Sequence, residues 1–159
     1  AVLAQAIAEL RAVVVRAVTA DGSYRERLDA VIAAMIELER AHRPVLGLVL
    51  RELIDPRPSE QTSSTQLAGE MAALVDILDR FVAEHGRDHV LPGLPVRATI
   101  VQLIVAHLAR AAMGAAGASL WGGEHPERDT ARISQLLLSY NEDAERTARS
   151  ASIPRSSRS

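Results

Sequence analysis

Residues 37–53, ELERAHRPVLGLVLREL, change character at Pro44, and this change decides how the chain is organised. Before the proline, charged and apolar side chains alternate as on a half-exposed helix. After it, Val45 to Leu50 carry no polar side chain. Because proline lacks an N–H and disfavours helix at the preceding residue, one helix should end near His42 and another begin at Pro44. A helix that is apolar all round must be covered all round, so we predict that this short helix lies inside a bundle, with a ligand crevice beside it.

The rest of the sequence has the period of helices. Apolar residues recur at three- and four-residue steps, and no segment alternates with the two-residue period of a strand. Ser23 and Glu26 have the spacing of a capping box, and Gly86 is the expected C-cap of a later helix. We therefore predict an all-α bundle of about six helices, over residues 1–19, 23–42, 44–54, 65–85, 95–114 and 126–147.

Length and composition favour one domain with an acidic body. The 159 residues include 18 arginines, no lysine and no cysteine. Residues 1–145 hold 14 arginines and all 20 acidic residues, a net charge of −6, which suits a phosphate backbone poorly. We predict a domain over residues 1–149 and a disordered Ser/Arg tail over 150–159. No apolar run approaches the roughly 20 residues of a membrane helix and no signal peptide is evident, so a cytoplasmic protein without a membrane partner is expected.

Three segments carry a resemblance to a known family. They are RERLDAVIAAMIELERAHRPVLGLVLRELID (25–55) with the acidic-proline loop after it, PVRATIVQLIVAHLARAAMGA (95–115) and DTARISQLLLSY (129–140). In order, length and texture they resemble the effector half of TetR-family transcription regulators, over residues 1 to about 145. In that family a helix-turn-helix domain precedes this half, and Ala1 would lie in the helix that joins the two. No segment here resembles the helix-turn-helix, so DNA binding is implied for the intact protein only.

The resemblance implies an effector-sensing, dimerising domain of a repressor that binds a small apolar molecule. His107 lies on the apolar stripe of the 95–114 helix with Arg110 close by, and with Thr99 or Gln102 they would be the polar groups of the pocket. The alternative is a histidine whose hydrogen bonds are satisfied within an ordinary core. The remaining candidate ligand-binding residues, several of which could equally be core or loop contacts, are Met35, Leu50, Met71, Leu78, Phe81, Leu103 and Trp121.

A twofold dimer interface is also implied by the resemblance. Small residues on the 95–114 helix and its continuation, and apolar residues on the last helix, would form a four-helix interface between two copies. The alternative is packing within one chain. The candidate interface residues are Ala109, Met113, Gly117, Ile133, Leu137 and Tyr140.

Catalytic, metal and cofactor sites are not indicated by the sequence. His85 and His89 are four residues apart, a spacing that can hold a metal on one helix face, but Gly86 lies between them and is expected to end the helix. No nucleophile-base set or phosphate-binding loop stands out, so we expect neither an enzyme nor a cofactor. Two rival hypotheses remain: a stand-alone helical binding or scaffold module without a DNA partner, and a bundle enzyme or metal carrier.

Overall fold

The chain forms helices joined by short connections. The computed structural model describes residues 2–55, 61–122 and 126–140, and these contain helices and no strand, which confirms the all-α prediction. The helices are α1 (Val2–Thr19), α2 (Tyr24–Ile54), α3 (Gln61–Phe81), α4 (Val96–Met113), α5 (Ala118–Trp121) and α6 (Pro126–Leu138). A π-helical turn, Val82–Gly86, extends α3, and a 3₁₀ turn, Gly114–Gly117, precedes α5.

Helix α2 begins with the predicted capping box. The Ser23 hydroxyl accepts from the Glu26 amide at 3.2 Å, and the Glu26 carboxylate accepts from the Ser23 amide at 2.8 Å. These hydrogen bonds to Ser23 lower the pKa of Glu26. They also satisfy two backbone donors of this helix start that would otherwise lack partners.

Pro44 kinks α2 without dividing it into two separate helices. His42, two residues before the proline, has the non-helical dihedrals φ −127° and ψ 24°. The missing proline N–H and the bulk of its ring explain this break. The two helices predicted over 23–42 and 44–54 are therefore two arms of one kinked helix.

The sequence analysis predicts that the segment after the kink is enclosed on every face, but the structure leaves part of it exposed. Leu46 and Val49 are buried, and Gly47 lies close enough to α4 that an added Cβ would be 3.3 Å from the Ala112 Cα. Leu48, however, is 53% exposed. Because helix α4 covers only one side of this arm, the prediction of a fully covered helix is wrong.

Helix α2 is the central element of the core. It packs against α1, α3, α4 and α6, while α1 also packs against α3 and α4 against α6. The core that they share is a single cluster of buried apolar side chains contributed by all five of these helices.

Gly86 ends the π-helical turn for a reason other than the predicted positive-φ C-cap. It has no positive φ, but it lies against the ring of Tyr24, and a Cβ there would be 2.5 Å from the ring. The Tyr24 ring also stacks on Phe81, with 5.1 Å between centroids, and its hydroxyl donates to the Leu138 carbonyl at 2.7 Å. Tyr24 thus joins α2, α3 and α6, and glycine at 86 makes room for its ring.

Other boundaries differ modestly from the prediction. Helix α3 begins at Gln61 rather than near residue 65, and the glycine-rich segment read as a loop contains α5. The predicted end of the last helix, over 141–147, and the predicted tail over 150–159 lie outside the described residues.

Candidate ligand cavity

A small cavity lies between α2, α3, α4 and α6, with a volume of about 50 Å³. Nearly all of its walls are aliphatic or aromatic, and its two polar side chains are His107 and Ser134. Drug-sized ligands occupy pockets of roughly 300–1,000 Å³. The cavity therefore accepts a compact molecule as it stands, and a larger one only if the helices separate. The side chains that line it are Leu28, Val31, Ile32, Met35, Leu78, Phe81, Val82, Ile100, Leu103, Ile104, His107, Ser134 and Leu138.

A buried charged cluster lies directly behind His107. The Arg110 guanidinium donates from Nε to Glu39 Oε1 at 2.9 Å and from Nη2 to Glu39 Oε2, and its Nη1 donates to the Thr130 hydroxyl. Glu39 is only 2% exposed and Arg110 5%. The cluster joins α2, α4 and α6, so it fixes the three helices that carry the polar end of the cavity.

Glu39 is held in its charged form by this cluster. Burial alone would raise the pKa of the Glu39 carboxyl, but its contacts with His107 and Arg110, together with the charge of Arg110, lower that pKa to about 2. Paired in this way, the buried charges of Glu39 and Arg110 compensate each other.

His107 turns one ring nitrogen toward the cluster. Its Nδ1 lies 3.0 Å from Arg110 Nη2 and 3.4 Å from Glu39 Oε2. The imidazole is 4% exposed and lines the cavity. No described residue hydrogen-bonds to Nε2, which lies on the ring edge away from Nδ1.

The structure brings together five of the nine candidate ligand-binding residues. Met35, Leu78, Phe81, Leu103 and His107 all line the cavity. Arg110 does not line the cavity but contacts His107 from behind, in the charged cluster.

The other three candidates lie elsewhere. Met71 is buried in the core, Leu50 packs against the core from the far arm of α2, and Trp121 lies on α5 beside Gly117. The crevice expected beside Val45–Leu50 is thus displaced to the first arm of α2, whose side chains Leu28 to Met35 line the cavity.

Thr99 and Gln102 do not supply polar groups to the cavity. The Thr99 hydroxyl donates to the Pro95 carbonyl at 3.1 Å within the first turn of α4, and Gln102 is exposed. The polar residues that sequence reasoning missed are Glu39, Thr130 and Ser134. A signal for Glu39 did exist, because it continues the apolar stripe of Leu28, Ile32 and Met35 as an acidic residue.

A second, more open groove runs between α1 and the end of α3, with a volume of about 270 Å³. Phe81 lines both this groove and the cavity. The Arg27 guanidinium lies 5.3 Å from the centre of the Phe81 ring, and its Nη1 donates to the Val18 carbonyl at 3.1 Å near the end of α1. Phe81 and Arg27 therefore connect a cavity wall to α1.

The candidate interface residues are exposed, half-buried or buried within the chain. Ile133 is 51% and Tyr140 45% exposed, and Ala109, Met113 and Leu137 are half-buried. Gly117 is buried, and a Cβ there would be 2.8 Å from the Met113 Cβ, so its small size serves packing within the chain.

His85 and His89 are not brought together on a metal. His89 stacks on Tyr24 at 4.9 Å between centroids, and His85 Nε2 lies 3.9 Å from Glu84 Oε2. Over residues 2–55, 61–122 and 126–140, no group of three potential metal ligands is present.

Comparisons with protein-family models, with curated proteins and with solved structures found no match to this chain. Within the described residues, one helix, Val96–Met113, is long and apolar enough to cross a membrane by length and composition alone, a test that core helices of soluble proteins also pass.

Proposed function

We propose that this chain is the effector-sensing and dimerisation domain of a TetR-like transcriptional repressor, and that an apolar small molecule bound in the cavity alters DNA binding by the intact protein. The observation that carries the proposal is an apolar cavity between four helices, with His107 on its wall and the buried Glu39–Arg110 pair behind His107. Apolar walls with a few placed polar groups are typical of small-molecule sites.

The small size of the cavity favours a sensing role. Because the cavity is far smaller than the roughly 300–1,000 Å³ of pockets for drug-sized ligands, a drug-sized molecule fits only if the cavity walls move apart. Met35 gives one wall an adaptable side chain, whereas the Glu39–Arg110 cluster holds the polar end in place. Displacement should therefore fall on the walls that this cluster does not hold, and Phe81 belongs to one of them.

Phe81 offers a route from the cavity to α1. A shift of its ring would disturb the Arg27 guanidinium above it and the bond that Arg27 donates to the Val18 carbonyl. In the proposed protein, α1 continues into the DNA-binding domain. The tilt of α1 would therefore set the distance between the two DNA-binding domains of the dimer. The required coupling free energy is modest, typically about 1–3 kcal/mol.

Apolar side chains on the outward faces of α4 and α6 support the dimer. Val101 and Val105 on α4 are 42% and 45% exposed, and Ile133 and Leu136 on α6 and Tyr140 just after it are 38–51% exposed. Only 39% of the residues of the Val96–Met113 helix are buried within the chain, although the helix is strongly apolar. A second copy on a twofold axis would cover such self-complementary faces.

The dimer is tested by sedimentation equilibrium of Val105→Glu. Placing a carboxylate and its symmetry mate in an apolar interface should weaken dimerisation at least a hundredfold, since buried like charges cost several kcal/mol. Val15→Glu on α1 is the matched control, because Val15 has a similar exposure of 39% and lies on neither face. Equal dimerisation of both variants would contradict the proposed interface.

The sensing role is tested by fixing α1. The Arg11 guanidinium of α1 pairs with the Glu70 carboxylate of α3 at 2.7 Å. Because this chain has no cysteine, Arg11→Cys with Glu70→Cys places the only two cysteines of this domain at that contact, where a bifunctional cross-linker can join them. In the intact repressor, cross-linking should abolish effector-induced release from DNA, while the same variant left uncross-linked should respond. A cross-linked protein that still responds would rule out movement of α1.

A further inference from the structure

We infer that the cavity selects a neutral, apolar molecule with one hydrogen-bond acceptor, such as a carbonyl or ether oxygen, and that this oxygen accepts from Nε2 of His107. This ligand class refines the proposed sensing function and depends on the same cavity. It follows from where the proton of His107 lies, from the charge balance behind it, and from the chemistry of the walls.

The contact with Arg110 places the His107 proton on Nε2. Arginine remains protonated at all accessible pH values and can only donate, so its Nη2 can hydrogen-bond His107 Nδ1 only where that nitrogen has a lone pair. This contact, at 3.0 Å, is shorter than the 3.4 Å from Nδ1 to Glu39 Oε2, so the geometry favours Nδ1 as an acceptor from Arg110. A neutral imidazole that accepts at Nδ1 carries its hydrogen on Nε2, which is then a donor, and no described residue accepts from it. The complementary ligand atom is an acceptor.

The charge balance disfavours an ionic ligand. No arginine is among the described residues that line the cavity. The Arg110 charge behind His107 is compensated by Glu39, and the Arg27 guanidinium lies against the Phe81 ring, 5.3 Å from its centre. An anionic ligand would therefore meet no cation on the described walls, and a cationic ligand would meet no anion there. Since an uncompensated charge among apolar walls costs several kcal/mol, a neutral ligand is favoured.

The second polar wall residue does not compete for this role. The Ser134 hydroxyl donates to the Thr130 carbonyl of its own helix at 2.9 Å, so its hydrogen is already used. The remaining lining residues are apolar. Among the described lining residues, His107 is therefore the one side chain with a donor to offer, and it sets the orientation of a bound ligand.

Two matched probes test this ligand class on the full chain. Cyclopentanone and methylenecyclopentane have nearly the same shape, but only the ketone has an acceptor. Their dissociation constants would be measured by NMR titration for the native chain, for His107→Leu and for Ser134→Ala. Because water also hydrogen-bonds the ketone, the informative quantity is the ketone-to-alkene affinity ratio in each variant relative to the native chain.

We expect His107→Leu to lower that ratio about fivefold, the usual worth of one net hydrogen bond, and Ser134→Ala to leave it unchanged. An unchanged ratio in His107→Leu, or binding of neither probe to the native chain, would overturn the inference. So would tighter binding of cyclopentanecarboxylate than of the ketone. The ¹⁵N spectrum of the His107 ring provides a control on the native chain. It should show a protonated Nε2, and the Nε2 resonance should shift more with the ketone than with the alkene. An unprotonated Nε2 would refute the assignment.

The two proposals can fail separately. If the His107-dependent preference holds but the cross-linked repressor still responds, the ligand class stands and the regulatory role of α1 falls. If cross-linking abolishes the response but His107 sets no preference, sensing stands and the ligand class is wrong.

Discussion

Replacing Glu39 with glutamine tests whether the buried charged cluster holds the helices around the cavity. The substitution keeps the size of the side chain but leaves the Arg110 charge buried without a counter-charge. The pKa of Glu39 falls from 4.5 to about 2 on folding. At 1.36 kcal/mol per pH unit, this fall corresponds to about 3 kcal/mol of folding stability at pH 7. The same loss is expected from breaking a buried ion pair, roughly 3–5 kcal/mol.

The pH dependence of this loss has a defined sign. Because the folded-state pKa of Glu39 is lowered, its contribution is complete well above pH 4.5 and disappears as the pH falls toward 2. The stability difference between the native chain and Glu39→Gln should therefore shrink from about 3 kcal/mol at pH 7 to between 1 and 2 kcal/mol, roughly, at pH 3.

Urea denaturation followed by circular dichroism, at one fixed protein concentration, measures this difference. Glu37→Gln is the matched control, because Glu37 lies on the same helix with its side chain 71% exposed and pairs only with Arg40 at the surface. Its loss should stay below about 1 kcal/mol. A Glu39→Gln loss no larger than that of the control, or one that grows as the pH falls, would refute this view of the cluster.

Three further substitutions and one control test the contacts of Tyr24 and the cap of α2, each by its urea midpoint. Gly86→Ala should lower the free energy of unfolding by about 1–3 kcal/mol, since its Cβ would overlap the Tyr24 ring. The control Gly69→Ala, whose Cβ meets no atom within 4 Å, should instead stabilise α3 slightly. A similar effect of both substitutions would contradict the close approach of Gly86 to Tyr24. Tyr24→Phe keeps the stacked ring but loses the bond to the Leu138 carbonyl, and should cost about 1 kcal/mol; no loss would show that this bond does not stabilise α6. Ser23→Ala should cost about 1 kcal/mol by removing the cap of α2, and an unaffected midpoint would argue against the capping box.

The helices and one cap could be predicted because their signals are local. The three- and four-residue spacing of apolar side chains reports the face of a helix, and the Ser23–Glu26 box and Pro44 act on their own backbone neighbours. The position of the kink at His42, two residues before the proline, follows from the same local sterics.

The partners of these residues could not be predicted in the same way. Glu39 meets Arg110 across 71 positions of sequence, and no local pattern tells which acidic residue reaches a buried arginine on another helix. Gly86 was expected to provide a positive φ, whereas its position is explained by the Tyr24 ring from α2. Leu48 was expected to be enclosed, and its exposure reflects how one arm of a kinked helix docks on α4.

Within the candidate site, sequence reasoning succeeded where a polar residue interrupts an apolar stripe. His107 stood out for this reason, and the structure places it on the cavity wall. Met71 and Leu50 carry the same apolar signal as Met35 and Leu78, yet they lie in or against the core. Whether an apolar side chain faces a void or another side chain depends on how helices pack, which one sequence does not encode locally.

The central claim is that two copies of this domain each hold a small apolar molecule in the cavity beside His107. Native mass spectrometry of protein purified without denaturation tests it directly, since it reports subunit number and bound small molecules together. We expect the mass of a dimer with one small neutral molecule per subunit. A bare monomer at micromolar concentration would contradict the claim.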